Sequence, residues 1–252
     1  MDPAVSNRLI ELNRQFYQMF GREFSSTRSR LQPGVRRILE MLNGTEHILD
    51  LGCGNGRLAR ELVHRGHKEK YLGLDFSSSL IEEANDDYGT LSVRFMNVDM
   101  TSKDWEHCLG ESPSQRFEVV FAFAVLHHMP GNHLRLGILK KVHTLLKPGG
   151  RFIHSEWQFL NSARLRARVQ QWEGSGVTAA EVDPGDYLLD WRRGGRGLRY
   201  VHFFEEIELI KLASDSGFYV IETFFSDGEG GKLGLYQVWE RNENENQRTV
   251  FR

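Results

Sequence analysis

The chain has 252 residues, 40% hydrophobic and 26% charged, which suits one large soluble α/β domain with a sizeable core. Its net charge of −2 gives no overall electrostatic footprint for nucleic acid, and two cysteines argue against a disulfide framework or a structural zinc site. No apolar run approaches the ~18 residues of a membrane span and Met1–Ile10 has no signal-peptide core, so no membrane association and a cytoplasmic location are expected.

Leu9, Leu12, Phe16, Met19 and Phe20 recur at helical spacing, predicting an amphipathic helix over 5–20 that Gly21 ends. The next polar segment, Glu23 to Arg28, reads as irregular. Pro33 opens a second helix, stopped at Asn43-Gly44. Strands then alternate with helices: a strand at 47–51, a helix from Gly56 to about His64, a strand at 71–74, and a helix capped by Ser78 or Ser79. Further strands follow at 93–98 and 117–123, the latter almost wholly apolar, as buried parallel strands are. A helix through Leu134 and Leu145 and the turn Lys147-Pro148-Gly149-Gly150 lead to a fifth strand at 151–154. This alternation predicts a doubly wound parallel sheet. Residues 158–201 break the pattern as an insertion, with a helical piece at 163–172 and a loop rich in Gly and Asp. A helix at 205–214 precedes two strands, 218–225 and 233–239, joined by a hairpin turn.

Ile48 to Leu58 carries three alternating glycines behind an apolar strand, with an acid in front. Glycines there allow a sharp turn and close approach of a ligand. Asp75 ends the second strand, where an acid accepts from ribose hydroxyls. The spacing G-x-G-x-G lacks the later glycine of a nicotinamide site, and Asp50 would repel a diphosphate but could hold an ammonium group. S-adenosylmethionine meets those demands, with an α-amino group, a ribose and an adenine but no phosphate. Asp99 could accept from the adenine amino group and Met100 could cover its ring. The predicted cofactor residues are Asp50, Gly52, Cys53, Gly54, Asn55, Gly56, Asp75, Phe76, Asp99, Met100 and Phe123. No spacing of His, Cys and Asp supports a metal site.

Leu49–Leu58, Gly73-Leu74-Asp75, Val98-Asp99-Met100 and Leu146–Gly150 resemble the ordered motifs of class I S-adenosylmethionine-dependent methyltransferases. That resemblance implies a seven-stranded, Rossmann-like α/β sheet whose last hairpin is antiparallel. It also implies a single domain: an N-terminal helical cover (1–45), a cofactor-binding core (46–157), an acceptor-side insertion (158–201), a final helix and hairpin (202–241) and a tail (242–252). The flanks 23–28, 124–128, 187–191 and 199–204 resemble the tRNA methyltransferases that esterify a carboxymethyl group on the wobble uridine. The chain departs from that family at Ser155–Gln158, at Asp190 and in its last strand. The resemblance implies tRNA as a partner, with a small zinc-binding activator protein as a possible second.

Residues 1–37 hold seven arginines against three acids, and Arg192, Arg193, Arg196 and Arg199 fall within eight positions. The planar guanidinium matches a carboxylate or phosphate bidentately, so Arg28, Arg192 and Arg193 are candidates for orienting the acceptor. His127, His128 and His202 could donate to uracil or carboxylate oxygens, and Asp190 could orient an arginine. A small-molecule methyltransferase with 158–201 as a lid is the alternative.

Overall fold

In the computed structural model the described residues are 1–26, 30–85, 93–110 and 116–242, the Phe24 side chain excepted. Two helices, α1 (Pro3–Ser26) and α2 (Pro33–Leu39), lead into β1 (Ile48–Leu51), α3 (Arg57–His64), β2 (Tyr71–Asp75), α4 (Ser78–Ala84) and β3 (Val93–Asn97). Then come β4 (Phe117–Phe123), α5 (Asn132–Leu145), β5 (Leu146–Trp157), α6 (Ala163–Arg166) and β6 (Val169–Gln170). The chain continues through β7 (Asp186–Trp191), β8 (Gly197–His202), α7 (Glu206–Asp215), β9 (Phe218–Ser226) and β10 (Gly234–Arg241).

Seven strands form one sheet in the order β3-β2-β1-β4-β5-β10-β9. The first five are parallel, and β10 runs antiparallel to both β5 and β9. This is the predicted sheet with its antiparallel last hairpin. Period-two alternation sends Val119 and Phe121 to one face of β4, and Val120 and Ala122 to the other. The first pair packs with Ile38 of α2 and Leu62 of α3; the second packs with Leu139 and Val142 of α5 and Leu209 of α7. Strand order reverses between β1 and β4, which leaves a crevice at their carboxyl ends.

Three expectations change. Helix α1 does not stop at Gly21 but continues to Ser26. A glycine costs a helix interior only about 1 kcal/mol, and the added turn lies near α4, where Arg22 reaches Glu83 at 3.5 Å. The helical piece predicted at 163–172 is a single turn, α6, because Val169 and Gln170 pair instead with Leu189 and Leu188 of β7. The insertion therefore carries a three-stranded antiparallel sheet, β6-β7-β8, in place of the predicted helical piece and loop. Its last strand runs one residue past 201, to His202.

Helix α1 packs against this second sheet. Leu9 clusters with Tyr200 of β8, while Phe16 and Phe20 cluster with Trp191 of β7. Asn13 fastens the contact: its Oδ1 accepts from the Tyr200 N–H at 2.8 Å and its Nδ2 donates to the Tyr200 carbonyl at 3.1 Å.

Candidate active site

A pocket of ≈ 300 Å³ opens where β1, β2, β3 and β4 end, closed on its outer side by α1 and by residues around the start of α2. Its glycine loop uses the left-handed backbone that the sequence requires: Gly52, Gly54 and Gly56 have φ of 73°, 56° and 73°. A Cβ on Gly52 would stand 2.6 Å from Val125 Cγ2, so the missing side chain lets the loops after β1 and β4 approach each other.

Acids end three of the four strands. Asp50 of β1 is buried and accepts a hydrogen bond from the Tyr71 hydroxyl. Burial pushes its pKa up to about 7, with Asp75 adding to the rise and Tyr71 opposing it. Asp75 of β2 takes the Gly54 N–H on Oδ2 and the Ser77 N–H on Oδ1, both at 2.9 Å. Burial raises its pKa as well, against those backbone donors. Asp99 follows β3. Burial raises its carboxyl too, but the Thr101 hydroxyl and N–H and the Arg14 guanidinium outweigh that and hold it below the usual range. Arg14 reaches Asp99 Oδ2 at 2.5 Å. Burial beside Asp50 and Asp75 pushes the Cys53 thiol well up, which disfavours the thiolate a nucleophile requires.

The wall beside β4 is different in kind. Ala124, just past the strand, has φ 59°, a left-handed conformation unusual outside glycine, and its N–H is held by the Ser155 carbonyl at 2.9 Å. The chain then turns through Val125, His128 and Met129, all on the pocket lining. His128 Nδ1 lies 3.3 Å from the Tyr200 carbonyl and its Nε2 lies 2.8 Å from the Tyr17 hydroxyl. A carbonyl only accepts, so Nδ1 carries the proton of that bond; in the neutral ring Nε2 then accepts from Tyr17. Arg199, buried behind them, has a further hydrogen bond to Tyr17.

Ten of the eleven residues predicted for the cofactor line this pocket: Asp50, Gly52, Cys53, Gly54, Asn55, Asp75, Phe76, Asp99, Met100 and Phe123. Gly56 does not; it caps α3.

The acceptor candidates are scattered. Arg28 lies outside the described residues. His127, expected to face an acceptor, is turned inward at 1% exposure, with Nδ1 2.9 Å from Glu156 and the Trp157 N–H directed at the same nitrogen. Its neighbour His128 faces the pocket instead. His202, also expected to face an acceptor, is buried at 2% exposure, bridging Asp186 at 2.6 Å and Glu208 at 3.0 Å. Both turn inward because buried carboxylates supply partners that their ring nitrogens would otherwise lose. Asp190 and Arg192 line a separate groove beside α1, and Arg193 sits exposed on the β7–β8 turn, where its carbonyl accepts from the Trp191 indole.

Among the lining residues that the sequence reading does not name are Ile10, Asn13, Arg14 and Tyr17 of α1. Their i, i+3, i+4, i+7 spacing puts them on one helix face, beside the apolar stripe of Leu9, Leu12, Phe16 and Phe20. The spacing was visible in the sequence, but nothing in it said that this face lines a pocket.

A family model described as a methyltransferase domain matches residues 22–223. A protein of Encephalitozoon cuniculi (strain GB-M1) named as a methyltransferase is 30% identical over 209 residues, 82% of this chain and 87% of its own length. The ubiquinone biosynthesis O-methyltransferase of Coxiella burnetii (strain Dugway 5J108-111) is 30% identical over 110 residues, 44% of this chain and 43% of its own. Among solved structures, the 1,6-didemethyltoxoflavin-N1-methyltransferase of Burkholderia thailandensis, with its bound substrate and S-adenosylhomocysteine, has the same fold. It superposes with a TM-score of 0.63 at 18% identity, covering 96% of this chain and 92% of that one.

Proposed function

The chain belongs to the class I S-adenosylmethionine-dependent methyltransferases, and from that premise we propose that it esterifies a carboxylate on tRNA, the carboxymethyl group of a wobble uridine. The observation that carries this reading is the contrast between the two sides of the pocket. The lining acids Asp50, Asp75 and Asp99 stand at the ends of β1, β2 and β3, whereas the β4 side presents Tyr17 and His128 and, among the described residues, no carboxylate. An acceptor carboxylate is already ionised at pH 7, needs no general base, and would be repelled by an acid at that wall. A carboxylate only accepts, so on this side it would draw the Tyr17 O–H away from His128 Nε2, while the apolar Val125 and Met129 exclude water.

The cofactor supplies a methyl group already activated on a sulfonium. In this reading Asp50 faces its ammonium group, Asp75 accepts from its ribose, and Asp99 and Met100 flank its adenine. The residues fit: three acids surround a cleft whose glycines leave room for a ligand against the backbone. Asp50 makes the fit testable. With a pKa raised from 3.8 to about 7, the free protein favours the protonated acid below neutrality. Its contribution to stability is full below pH 4 and is lost as pH rises through 7. An ammonium ligand favours the ionised form. Affinity for S-adenosylhomocysteine is therefore expected to rise about tenfold between pH 6 and pH 8, and the rise is expected to vanish in Asp50→Asn. Calorimetric titrations at the two pH values measure this directly; an equal rise in the variant would remove Asp50 from the contact.

The acceptor is tested with labelled S-adenosylmethionine and tRNA bearing carboxymethyluridine, with and without a small zinc-binding activator. Methyl esters hydrolyse in mild alkali and ethers do not. Alkali-labile label in tRNA is the expected result; alkali-stable label, or none, would overturn the reading. A second reading, methylation of a hydroxyl on a small molecule, is favoured by the O-methyltransferase among the relatives and by the Tyr17–His128 pair, which could relay a hydroxyl proton. Labelled phenolic product would support it.

A further inference from the structure

A second groove, of ≈ 720 Å³, lies between α1 and the insertion sheet, within the range of small-ligand sites. Leu12, Trp191 and Leu198 give it an apolar floor, and Arg192 and Arg196 stand at its rim. Asp190 is its one lining acid among the described residues. Asp190 Oδ2 accepts from Arg192 Nε at 2.5 Å, while Oδ1 is buried with no hydrogen-bond partner among the described residues. Arg192 keeps its outer N–H groups toward solvent, its side chain 62% exposed. The same end of the sheet gathers more positive charge. The Asp190 N–H bonds to the Arg168 carbonyl, and Arg164, Arg166 and Arg193 are exposed nearby in sequence and pairing.

An apolar floor and a guanidinium rim match two parts of a nucleotide, a flat base and a phosphate. We propose that this groove holds a nucleotide of the acceptor RNA adjacent to the one that is methylated, with its base on the apolar floor and Arg192 and Arg196 gripping its phosphate. The proposal rests on the tRNA reading above. Helix α1 separates the two sites, with Ile10, Asn13, Arg14 and Tyr17 facing the cofactor pocket and Leu12 facing the groove. One helix diameter of about 10–12 Å is a span that a splayed anticodon loop can cross.

The test uses the full chain and a fluorescent anticodon stem–loop RNA carrying carboxymethyluridine, with binding read by anisotropy across a salt series and methylation read as alkali-labile label. For Arg192→Glu/Arg196→Glu, RNA affinity is expected to fall at least about tenfold and the salt slope to shrink by roughly 1.4, two single-strand phosphate contacts. Affinity for S-adenosylhomocysteine and the melting temperature should hold. If the wild type methylates the stem–loop and the double variant binds it as tightly, the groove proposal is overturned and the tRNA reading stands. If the wild type binds through the arginines but transfers no methyl group, the groove stands and the carboxymethyl acceptor falls. If it neither binds nor methylates the RNA, both fall.

Discussion

Asp75→Asn is expected to weaken S-adenosylhomocysteine binding by about 10²–10³-fold while leaving the melting temperature within a few degrees of wild type. The carboxylate only accepts, and it already receives backbone N–H groups from Gly54, Ser77 and Phe76. Its remaining lone pairs are what a ribose diol would use. Charge-assisted hydrogen bonds contribute about 1.5–3 kcal/mol each, and the amide keeps one acceptor oxygen while its NH₂ opposes one of the backbone donors. Folding feels less, because the same substitution removes a carboxylate whose burial is unfavourable. Calorimetry for affinity and circular dichroism for melting separate the two effects. Affinity within about threefold of wild type would exclude Asp75 from cofactor recognition.

Arg135→Met acts in the opposite sense, on stability first. Arg135 is 1% exposed, and no feature of its sequence context marked it. Its Nε donates to the Met129 carbonyl at 2.9 Å, Nη1 to Glu208 at 3.3 Å and Nη2 to the Tyr200 hydroxyl at 3.0 Å. Asp186 stands 3.7 Å away and also holds Tyr200 and His202, each at 2.6 Å. One guanidinium thus ties α5 to the loop after β4, to the insertion sheet and to α7. Methionine keeps much of the volume but leaves the buried Asp186 carboxylate, and the part-buried Glu208, without their cation, which costs about 3–5 kcal/mol. For a chain of this size that lowers the melting temperature by roughly 6–20 °C. Arg135→Lys keeps the charge without the fork and should fall between. A loss under about 2 °C for the methionine variant would show the cluster to be energetically idle. Because Met129 and Tyr200 both bear on the Tyr17–His128 wall, methyl transfer should decline in Arg135→Met even below its melting temperature.

These two residues differ in how far the sequence revealed them. Asp75 was legible because its place in the pocket depends on local order: an acid at the end of a strand, after a glycine loop that ends the previous one. The same holds for Asp50, Asp99 and the loop itself, and for the alternation of strands and helices. Period and punctuation are properties of a few consecutive residues, and a parallel sheet brings its strand ends to one edge whatever the details of packing.

The acceptor side depends on contacts between segments far apart in the chain. His127 and His128 are neighbours in sequence, and only Glu156, twenty-nine residues later, decides which ring turns inward. His202 is claimed by Asp186 and Glu208, and Asn13 joins α1 to β8 across 187 residues. Residues 163–172 read as helical because β6 is two residues long and becomes a strand only by pairing with β7. What the sequence alone determined is therefore the fold class, the donor and the strand-end acids that surround its pocket, since local periodicity and backbone freedom specify them. Which polar side chains reach the pocket, and which are spent holding the wall in place, was decided by the tertiary structure, because a buried polar group goes wherever its hydrogen-bond partner is found.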